Sequence, residues 1–206
     1  MEVIGFVAEH LRQPRARILE IGCGDGELAT ALASDGHSVT AIDPRAPWGP
    51  IFQQISLERY EGTTTFDAIV ANRSLHHVHA LGPALEKITT LLEPDGVLIL
   101  NEFAWDQMDD ATAGWYFSHR DEATSPASAP QSETFPDAWI EEHAGLHTST
   151  VMKEQLEAHF VTRTFEWIPY IARNYLDRAD LESQEAESIA SGGINAVGFR
   201  YVGTRQ

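Results

Sequence analysis

Positively charged residues are scarce in this sequence. Its 206 residues include 14 Lys and Arg against 31 Asp and Glu, for a formal net charge of −17 at pH 7. Proteins that bind nucleic acid neutralise phosphate groups with basic side chains, so this balance argues against nucleic acid as a partner. The acidic composition is compatible with a neutral or cationic small molecule.

Cysteine and long apolar runs are scarce as well. The single cysteine, Cys23, excludes an intramolecular disulfide and favours a reducing compartment. The first residues lack the basic start and apolar centre of a signal peptide. No apolar run approaches the length that spans a membrane. We therefore expect a cytoplasmic protein without a membrane partner.

Three glycines at alternate positions stand at the centre of the pattern that is present. Gly22, Gly24 and Gly26 follow the apolar run Ile18–Ile21, which favours a buried strand. A helix-forming segment comes next and ends near Gly36. Glycine loses more conformational freedom than other residues, so three of them here indicate close backbone approach to a ligand. The N-terminus of the helix offers free N–H groups to that ligand.

The spacing of these glycines distinguishes the turn from other nucleotide sites. The dinucleotide fingerprint G-x-G-x-x-G requires glycine where Glu27 stands, which opposes a nicotinamide oxidoreductase, and the Gly-Lys-Ser/Thr of a Walker loop is absent. The segment Glu20–Gly26 reads E-I-G-C-G-D-G. It resembles the first motif of class I S-adenosylmethionine-dependent methyltransferases, acidic-x-G-x-G-x-G.

Later segments carry the same resemblance in the expected order. Phe66–Val70 and the following Leu75-His76-His77 resemble the family's fourth motif, and a Pro94-Asp95-Gly96 turn before a fifth strand also matches it. The resemblance covers about residues 15 to 103. It implies an α/β fold with a doubly wound, seven-stranded, mainly parallel sheet and helices on both faces. The last strand is expected to run antiparallel between the fifth and the sixth.

Periodicity predicts the elements outside the motifs. Helices are expected at 2–12, 81–92, 150–160 and 171–190, with Val151, Met152, Leu156 and Phe160 of the third pointing inward. Strands are expected at 38–43, 51–55, 66–71, 97–100, 161–168 and 194–203.

Residues 101–148 break the periodic pattern, and aromatic residues alternate there with Ser, Pro and acidic residues. A connection this long is usually functional or disordered. We predict a single domain, 1–206, with this segment inserted as a lid over the carboxyl ends of the strands. Its aromatic residues either stack on a flat or cationic acceptor or close the lid's own core. Ser125–Ser132 is expected to be cleaved first by proteases.

The resemblance implies S-adenosylmethionine as the cofactor and indicates which residues hold it. Glu20 orders the turn or meets the amino group of the cofactor, and Cys23 fills a tight space, with a redox or nucleophilic role as the alternative. Asp43 ends the second strand, where a carboxylate can accept both ribose hydroxyls. Ser56 stands where the family often has an acidic residue that reads adenine. The full predicted set is Glu20, Gly22, Cys23, Gly24, Gly26, Asp43, Ser56, Leu57 and Asn72.

Histidines offer candidates for the acceptor side. His76 and His77 follow the fourth strand, and histidine suits a general base near neutral pH; alternatively they only pack in the crevice or cap the turn. His143 and His147 are four residues apart, which would put them on one face if the segment is helical, beside Glu141 and Glu142. They lack the H-E-x-x-H order, so we predict a polar patch that faces the substrate and no metal.

The resemblance therefore implies methyl transfer from S-adenosylmethionine to a small-molecule acceptor. The alternative is a non-catalytic module that binds S-adenosylmethionine or a nucleoside with the same fold. The motifs leave the acceptor open, along with the choice of oxygen, nitrogen or carbon as the methylated atom. The resemblance also allows a second copy of the chain as a partner, in a homodimer.

Overall fold

The computed structural model describes residues 3–120 and 135–206. The strands are β1 (Arg17–Ile21), β2 (Ser38–Ile42), β3 (Phe52–Gln53), β4 (Phe66–Asn72), β5 (Leu92–Phe103), β6 (Phe160–Ile168) and β7 (Gly198–Arg205). The helices are α1 (Val3–His10), α2 (Glu27–Ser34), α3 (Leu81–Leu91), α4 (Asp110–His119), α5 (Phe135–His143), α6 (Ser149–His159), α7 (Ile171–Asn174) and α8 (Glu182–Ala190).

The strands form one seven-stranded sheet in the order β3-β2-β1-β4-β5-β7-β6. The pairs β1–β2, β1–β4, β2–β3 and β4–β5 are parallel. Strand β7 is antiparallel and lies between β5 and β6, which confirms the predicted fold class. The strand order changes direction between β1 and β4, and the carboxyl ends of strands at such a switch point form the usual ligand crevice of this architecture.

Burial explains why the central strands form. In β1, the residues Ile18, Leu19 and Ile21 are all buried. A strand that is covered on both faces is expected to read as a continuous apolar run, because helices pack against each side of a parallel sheet. The helix α2 then starts directly after the glycine turn, with Gly26 as its N-cap at φ +83°. Gly36 follows its end at φ +93°, as the sequence predicts.

The predicted Pro94-Asp95-Gly96 turn is wrong in one respect. These residues belong to β5, where they interrupt the register of its ladder with β4. The partners of Phe66 and Ala68 on β4 are Leu92 and Val97, so the intervening residues of β5 form an irregularity in the ladder. The strand therefore continues on both sides of this irregularity, through residues whose sequence is typical of a turn.

Three other element predictions need correction. The helix expected at 171–190 is two helices, α7 and α8, and Asp177 between them has φ 51°. That left-handed conformation is incompatible with a continuous helix. Val151 was expected to point inward but its side chain is 41% exposed, whereas Met152 and Leu156 are buried. The last strand begins at Gly198 rather than at 194.

The chain divides into two compact units. Unit 1 comprises the described residues up to 102, with 151–166 and 200–206; unit 2 comprises 103–120, 135–150 and 167–199. Unit 2 thus contains most of the described part of the predicted 101–148 lid and a later segment as well. The single domain with a lid insertion stays a prediction. Ser125–Ser132, the predicted cleavage segment, lies outside the described residues.

Unit 2 has an aromatic core of its own. Phe103 stacks on Tyr170 with ring centroids 4.8 Å apart, and Trp139 packs edge-on to Phe103 at 5.9 Å. The Trp139 indole N–H donates to the carbonyl of Trp105 at 2.9 Å. Packing inside the unit therefore accounts for these aromatic side chains, while stacking on a substrate remains a prediction. Across both described ranges, no helix combines the length and the apolar character needed to cross a membrane.

Candidate active site

The glycine turn lies in unit 1 between β1 and α2. Gly22 has φ +71°, and a Cβ on it would lie 2.3 Å from the Cβ of Ser74. Gly26 has φ +83°, and its Cβ would lie 2.5 Å from the ring of Phe52. Both positions therefore exclude a side chain through conformation and through contact. The N–H groups of Gly22 and Cys23 donate to the carbonyl of Ile42 at 2.8 and 3.2 Å, which ties the turn to the end of β2.

Gly24, at the middle of the turn, differs from the other two. It has φ +52°, and apart from its two chain neighbours no described residue has an atom within 4 Å of the position that its Cβ would occupy. The turn thus exposes backbone at this point without a side chain above it. Such an open backbone surface at the start of a helix is the arrangement that accepts a polar ligand.

Glu20 is the buried acidic residue of the motif. Its side chain is 2% exposed, and its Oε2 atom has no hydrogen-bond partner in the part of the chain that the structure describes. Burial raises the pKa of Glu20 to about 8, and the nearby Asp25 and Asp43 carboxylates act in the same direction against the backbone N–H of Ala29. An unpaired buried carboxylate oxygen is costly unless a ligand satisfies it. Glu20 therefore fits a group that carries a cationic amine.

Asp43 follows β2 and contacts the glycine turn directly. Its Oδ2 accepts the backbone N–H of Gly24 at 3.2 Å, and its Oδ1 accepts the N–H of Arg45 at 2.7 Å. The two bonds hold the carboxylate at the carboxyl end of the sheet. A carboxylate has about four lone-pair directions, so it can still accept two hydroxyl groups.

Ser56 and Leu57 follow the edge strand β3. Ser56 precedes the 3-10 turn Leu57–Arg59, and its carbonyl accepts the N–H of Arg59 at 3.1 Å. The Ser56 hydroxyl hydrogen-bonds the Glu58 carboxylate, and Leu57 is buried. The Ser56 hydroxyl, which was expected to replace the acidic residue that reads adenine, thus already bonds to Glu58. The backbone groups of this segment remain for a ligand.

Asn72 ends β4 opposite Asn101 of β5. The Asn101 amide Nδ2 donates to Asn72 Oδ1 at 2.9 Å, and the Arg200 Nε–H donates to Asn101 Oδ1 at 3.3 Å. A guanidinium can only donate, so it determines which way both amides are oriented. Asn72 is left with its amide nitrogen as the donor at the end of the strand.

His76 and His77 lie on the 3-10 turn Leu75–His77, directly after β4. The two rings pack with centroids 4.2 Å apart and a tilt of 41°. His76 is 4% exposed, and its Nδ1 lies 2.6 Å from the Oε2 of Glu102. His77 is exposed. The two histidines are therefore neighbours with different access to a ligand.

The surroundings of His77 favour its neutral form. Partial burial of the ring lowers the pKa of His77, and electrostatic interaction with His76 and with Arg45 lowers it further, against the opposing effect of Glu102. A neutral imidazole can accept a proton, which is what a general base requires.

Glu102 was missed in reading the sequence. It is fully buried at the end of β5, and it bonds to His76 and to the backbone after β4. The signal that could have found it is an acidic residue close after the apolar run Val97–Leu100, in Asn101-Glu102-Phe103. A buried charge of this kind is uncommon unless it is paired.

Cys23 and His143, two further candidate residues from the sequence, are both buried. Cys23 is buried, and burial raises the pKa of its thiol to about 12, which disfavours the reactive thiolate. In unit 2, His143 is buried, with Nδ1 2.7 Å from the Trp139 carbonyl and Nε2 3.2 Å from the Tyr175 hydroxyl. Within residues 3–120 and 135–206, no three His, Cys, Asp or Glu side chains come together as metal ligands.

This architecture, with a glycine turn, an acidic residue after β2 and a mostly parallel sheet, defines a nucleotide-binding α/β protein. The family comparison is more specific. Residues 2–170 match the family described as the methyltransferase domain. The chain belongs to the S-adenosylmethionine-dependent methyltransferases, as the motifs predicted. It is a methyltransferase with S-adenosylmethionine as its cofactor.

Individual relatives agree with this assignment. A protein of Geobacillus sp. (strain WCH70) that is named as a methyltransferase is 28% identical over 205 residues, which cover 84% of this chain and 83% of the relative. The ubiquinone biosynthesis O-methyltransferase of Xanthomonas campestris is 31% identical over 113 residues, 48% of this chain and 47% of that protein. The Burkholderia thailandensis 1,6-didemethyltoxoflavin-N1-methyltransferase, crystallised with its substrate and S-adenosylhomocysteine, superposes with a TM-score of 0.60. It is 21% identical, and the superposition covers 98% of this chain and 76% of that one, which shows a shared fold.

Proposed function

We propose that this enzyme methylates a small-molecule acceptor and that unit 1 contains both halves of the site. The main support for this proposal is the contact between the Asp43 carboxylate and the N–H of Gly24, together with the unpaired buried oxygen of Glu20. Asp43 can accept hydroxyl groups, the backbone at Gly24 is open, and Glu20 can pair with an amine. A ligand that joins a nucleoside to an amino acid needs all three.

The cofactor side follows from these residues. Gly24 leaves its backbone open to close approach, Gly22 and Gly26 allow the turn to pack against Ser74 and Phe52, and Cys23 is buried in the adjoining core cluster. Asp43 would accept the ribose hydroxyls, and Glu20 would pair with the amine. Ser56 and Leu57 would meet the adenine through backbone groups, and Asn72 would donate its amide N–H to the methionine part.

The reaction depends more on the relative position of donor and acceptor than on activation of the donor. Bound S-adenosylmethionine supplies an electrophilic methyl group on a sulfonium, so holding the acceptor in line contributes several kcal/mol by proximity. Where the acceptor atom carries a proton, His77 is the group that accepts it. His77 is exposed and its pKa is lowered, whereas His76 is buried and bonded to Glu102. His76 then has a positioning role.

The class of acceptor is inferred from charge and from relatives. The net charge of −17 disfavours a nucleic acid. Relatives are named for ubiquinone biosynthesis and for a toxoflavin precursor, which are small molecules. A neutral or cationic small molecule with an O–H or N–H group fits these observations. The reducing environment expected from a single cysteine makes the cytoplasm the proposed location.

A panel of acceptors tests the proposal. The purified chain is incubated with S-adenosylmethionine and, separately, with phenols, catechols, aliphatic amines, a mixed tRNA preparation and a protein extract. Formation of S-adenosylhomocysteine is measured in each. We expect turnover with at least one small molecule. Turnover with tRNA or protein alone would contradict the proposed acceptor class.

A further inference from the structure

Glu102 accepts three hydrogen bonds from the segment that follows β4. Its Oε1 accepts the backbone N–H groups of Ser74 at 3.0 Å and Leu75 at 2.8 Å, and its Oε2 lies 2.6 Å from His76 Nδ1. The side chain is 0% exposed. A buried carboxylate is retained where such partners compensate the loss of water.

The third of these bonds determines the state of His76. An ionised carboxylate is an acceptor without a proton to donate, so the hydrogen between the two groups belongs to Nδ1 of His76. This fixes both the tautomer and the orientation of the His76 ring. The His77 ring packs directly against it at 4.2 Å. The orientation of the exposed histidine therefore depends on the buried one.

Ser74 connects the same carboxylate to the glycine turn. Its hydroxyl donates to the carbonyl of Ile21 at 2.7 Å. Its Cβ occupies the space beside Gly22 that a side chain there would need. Because Glu102 accepts the N–H of Ser74, one buried carboxylate links the cofactor turn to the histidine pair.

We propose that Glu102 is a positioning residue for methyl transfer. It holds the segment Ser74–His77 against the glycine turn and, through His76, orients His77 toward the acceptor. The proposal rests on the proposed role of His77, although its effect on His76 can be measured separately.

The variant Glu102→Gln separates these effects. The Gln carbonyl can still accept the N–H groups of Ser74 and Leu75, but its amide nitrogen faces His76 and donates. His76 Nδ1 must then act as acceptor and give up its proton. ¹⁵N NMR of the histidine side chains is expected to show Nδ1 of His76 protonated in the parent and unprotonated in Glu102→Gln. Glu86→Gln, an exposed residue of α3, is the matched control and is expected to leave the spectrum unchanged.

Binding and turnover complete the test. Glu102→Gln should bind S-adenosylhomocysteine within about threefold of the parent, since the Ser74 contact survives. Its kcat, on the acceptor identified from the panel, should fall on the order of a hundredfold, as expected for a misplaced reacting group. Glu102→Asp keeps a carboxylate, so it should keep Nδ1 protonated and retain more activity than Glu102→Gln. If the Gln variant does not fold, the His76 spectrum and the kcat of Glu102→Asp provide the test.

The outcomes are distinguishable. An unchanged His76 tautomer in Glu102→Gln, or equal loss of kcat in the Asp and Gln variants, would overturn the positioning role. If the tautomer changes and kcat falls while His77→Ala retains the parent rate, Glu102 still positions His76 and the proposed base is wrong.

Discussion

The Asp43 carboxylate and the backbone N–H of Gly24 form a hydrogen bond of 3.2 Å between Oδ2 and N. It joins the end of β2 to the open point of the glycine turn, across 19 residues of sequence. The side chain proposed to accept the ribose therefore also orders the backbone on which the rest of the cofactor would lie. Both functions are lost together when the carboxylate is removed.

Asp43→Ala should weaken the binding of S-adenosylhomocysteine by about a hundredfold or more. Two charge-assisted hydrogen bonds to hydroxyls are worth roughly 1.5–3 kcal/mol each. Disorder of the turn after loss of the Gly24 contact should weaken binding further. Calorimetric titration measures the dissociation constant. Asp43→Asn keeps an acceptor for the Gly24 N–H and should lose less affinity. A dissociation constant unchanged in both variants would move the ribose contact to another residue.

Gly22→Ala and Gly24→Ala form a matched pair. Both positions have positive φ, which costs an L-residue about 1–2 kcal/mol. At Gly22 the new Cβ also meets Ser74 at 2.3 Å, whereas at Gly24 it enters open space. Urea unfolding should show the larger loss of unfolding free energy for Gly22→Ala. Calorimetry should show that Gly24→Ala loses affinity for S-adenosylhomocysteine, because its methyl group enters the proposed ligand surface. Equal destabilisation by the two substitutions would contradict the contact with Ser74.

Glu20 should make cofactor binding depend on pH. Burial raises its pKa to about 8, so the free protein holds it largely protonated at pH 7. A cationic amine favours the carboxylate, so binding releases a proton and affinity rises between about pH 6 and pH 8. The buffer takes up the released proton. The binding heats measured at pH 7 in phosphate and in Tris should therefore differ by the difference between the two buffers' ionisation enthalpies for about one proton. Glu20→Gln should abolish the difference. Identical heats for the parent in both buffers would leave Glu20 as a residue that orders the turn.

His77→Ala should lower kcat by about 10² to 10⁴ for an acceptor with an O–H or N–H group, and His76→Ala should have a different and smaller effect. The acid limb of the pH–rate profile should lie below the usual histidine pKa of 6.5, because burial, His76 and Arg45 lower the pKa of His77 against the effect of Glu102. Arg45→Gln removes one positive charge and should move that limb to higher pH. Parent rates in both histidine variants across this range would exclude the pair as bases.

Local sequence pattern predicts the part of the fold that local interactions determine. The apolar run of β1, the glycines and the carboxylate after β2 are each visible in the sequence, and parallel pairing of β1 with β2 brings them together. The role of Glu102 is not visible, because it arises when β5 pairs with β4 and places Glu102 beside Ser74, 28 residues away. The register shift around Pro94 has the same origin, since pairing of β5 with β4 on either side includes a turn sequence in the strand.

Calorimetric titration of the full chain with S-adenosylhomocysteine tests the central claim most directly. The claim is that the turn Gly22–Gly26, Glu20 and Asp43 hold the cofactor of a methyltransferase. We predict saturable binding of about one molecule per chain, a rise in melting temperature on addition of the ligand, and loss of both in Asp43→Ala at the same concentrations. The absence of heat and of any thermal shift at millimolar S-adenosylhomocysteine would contradict the claim.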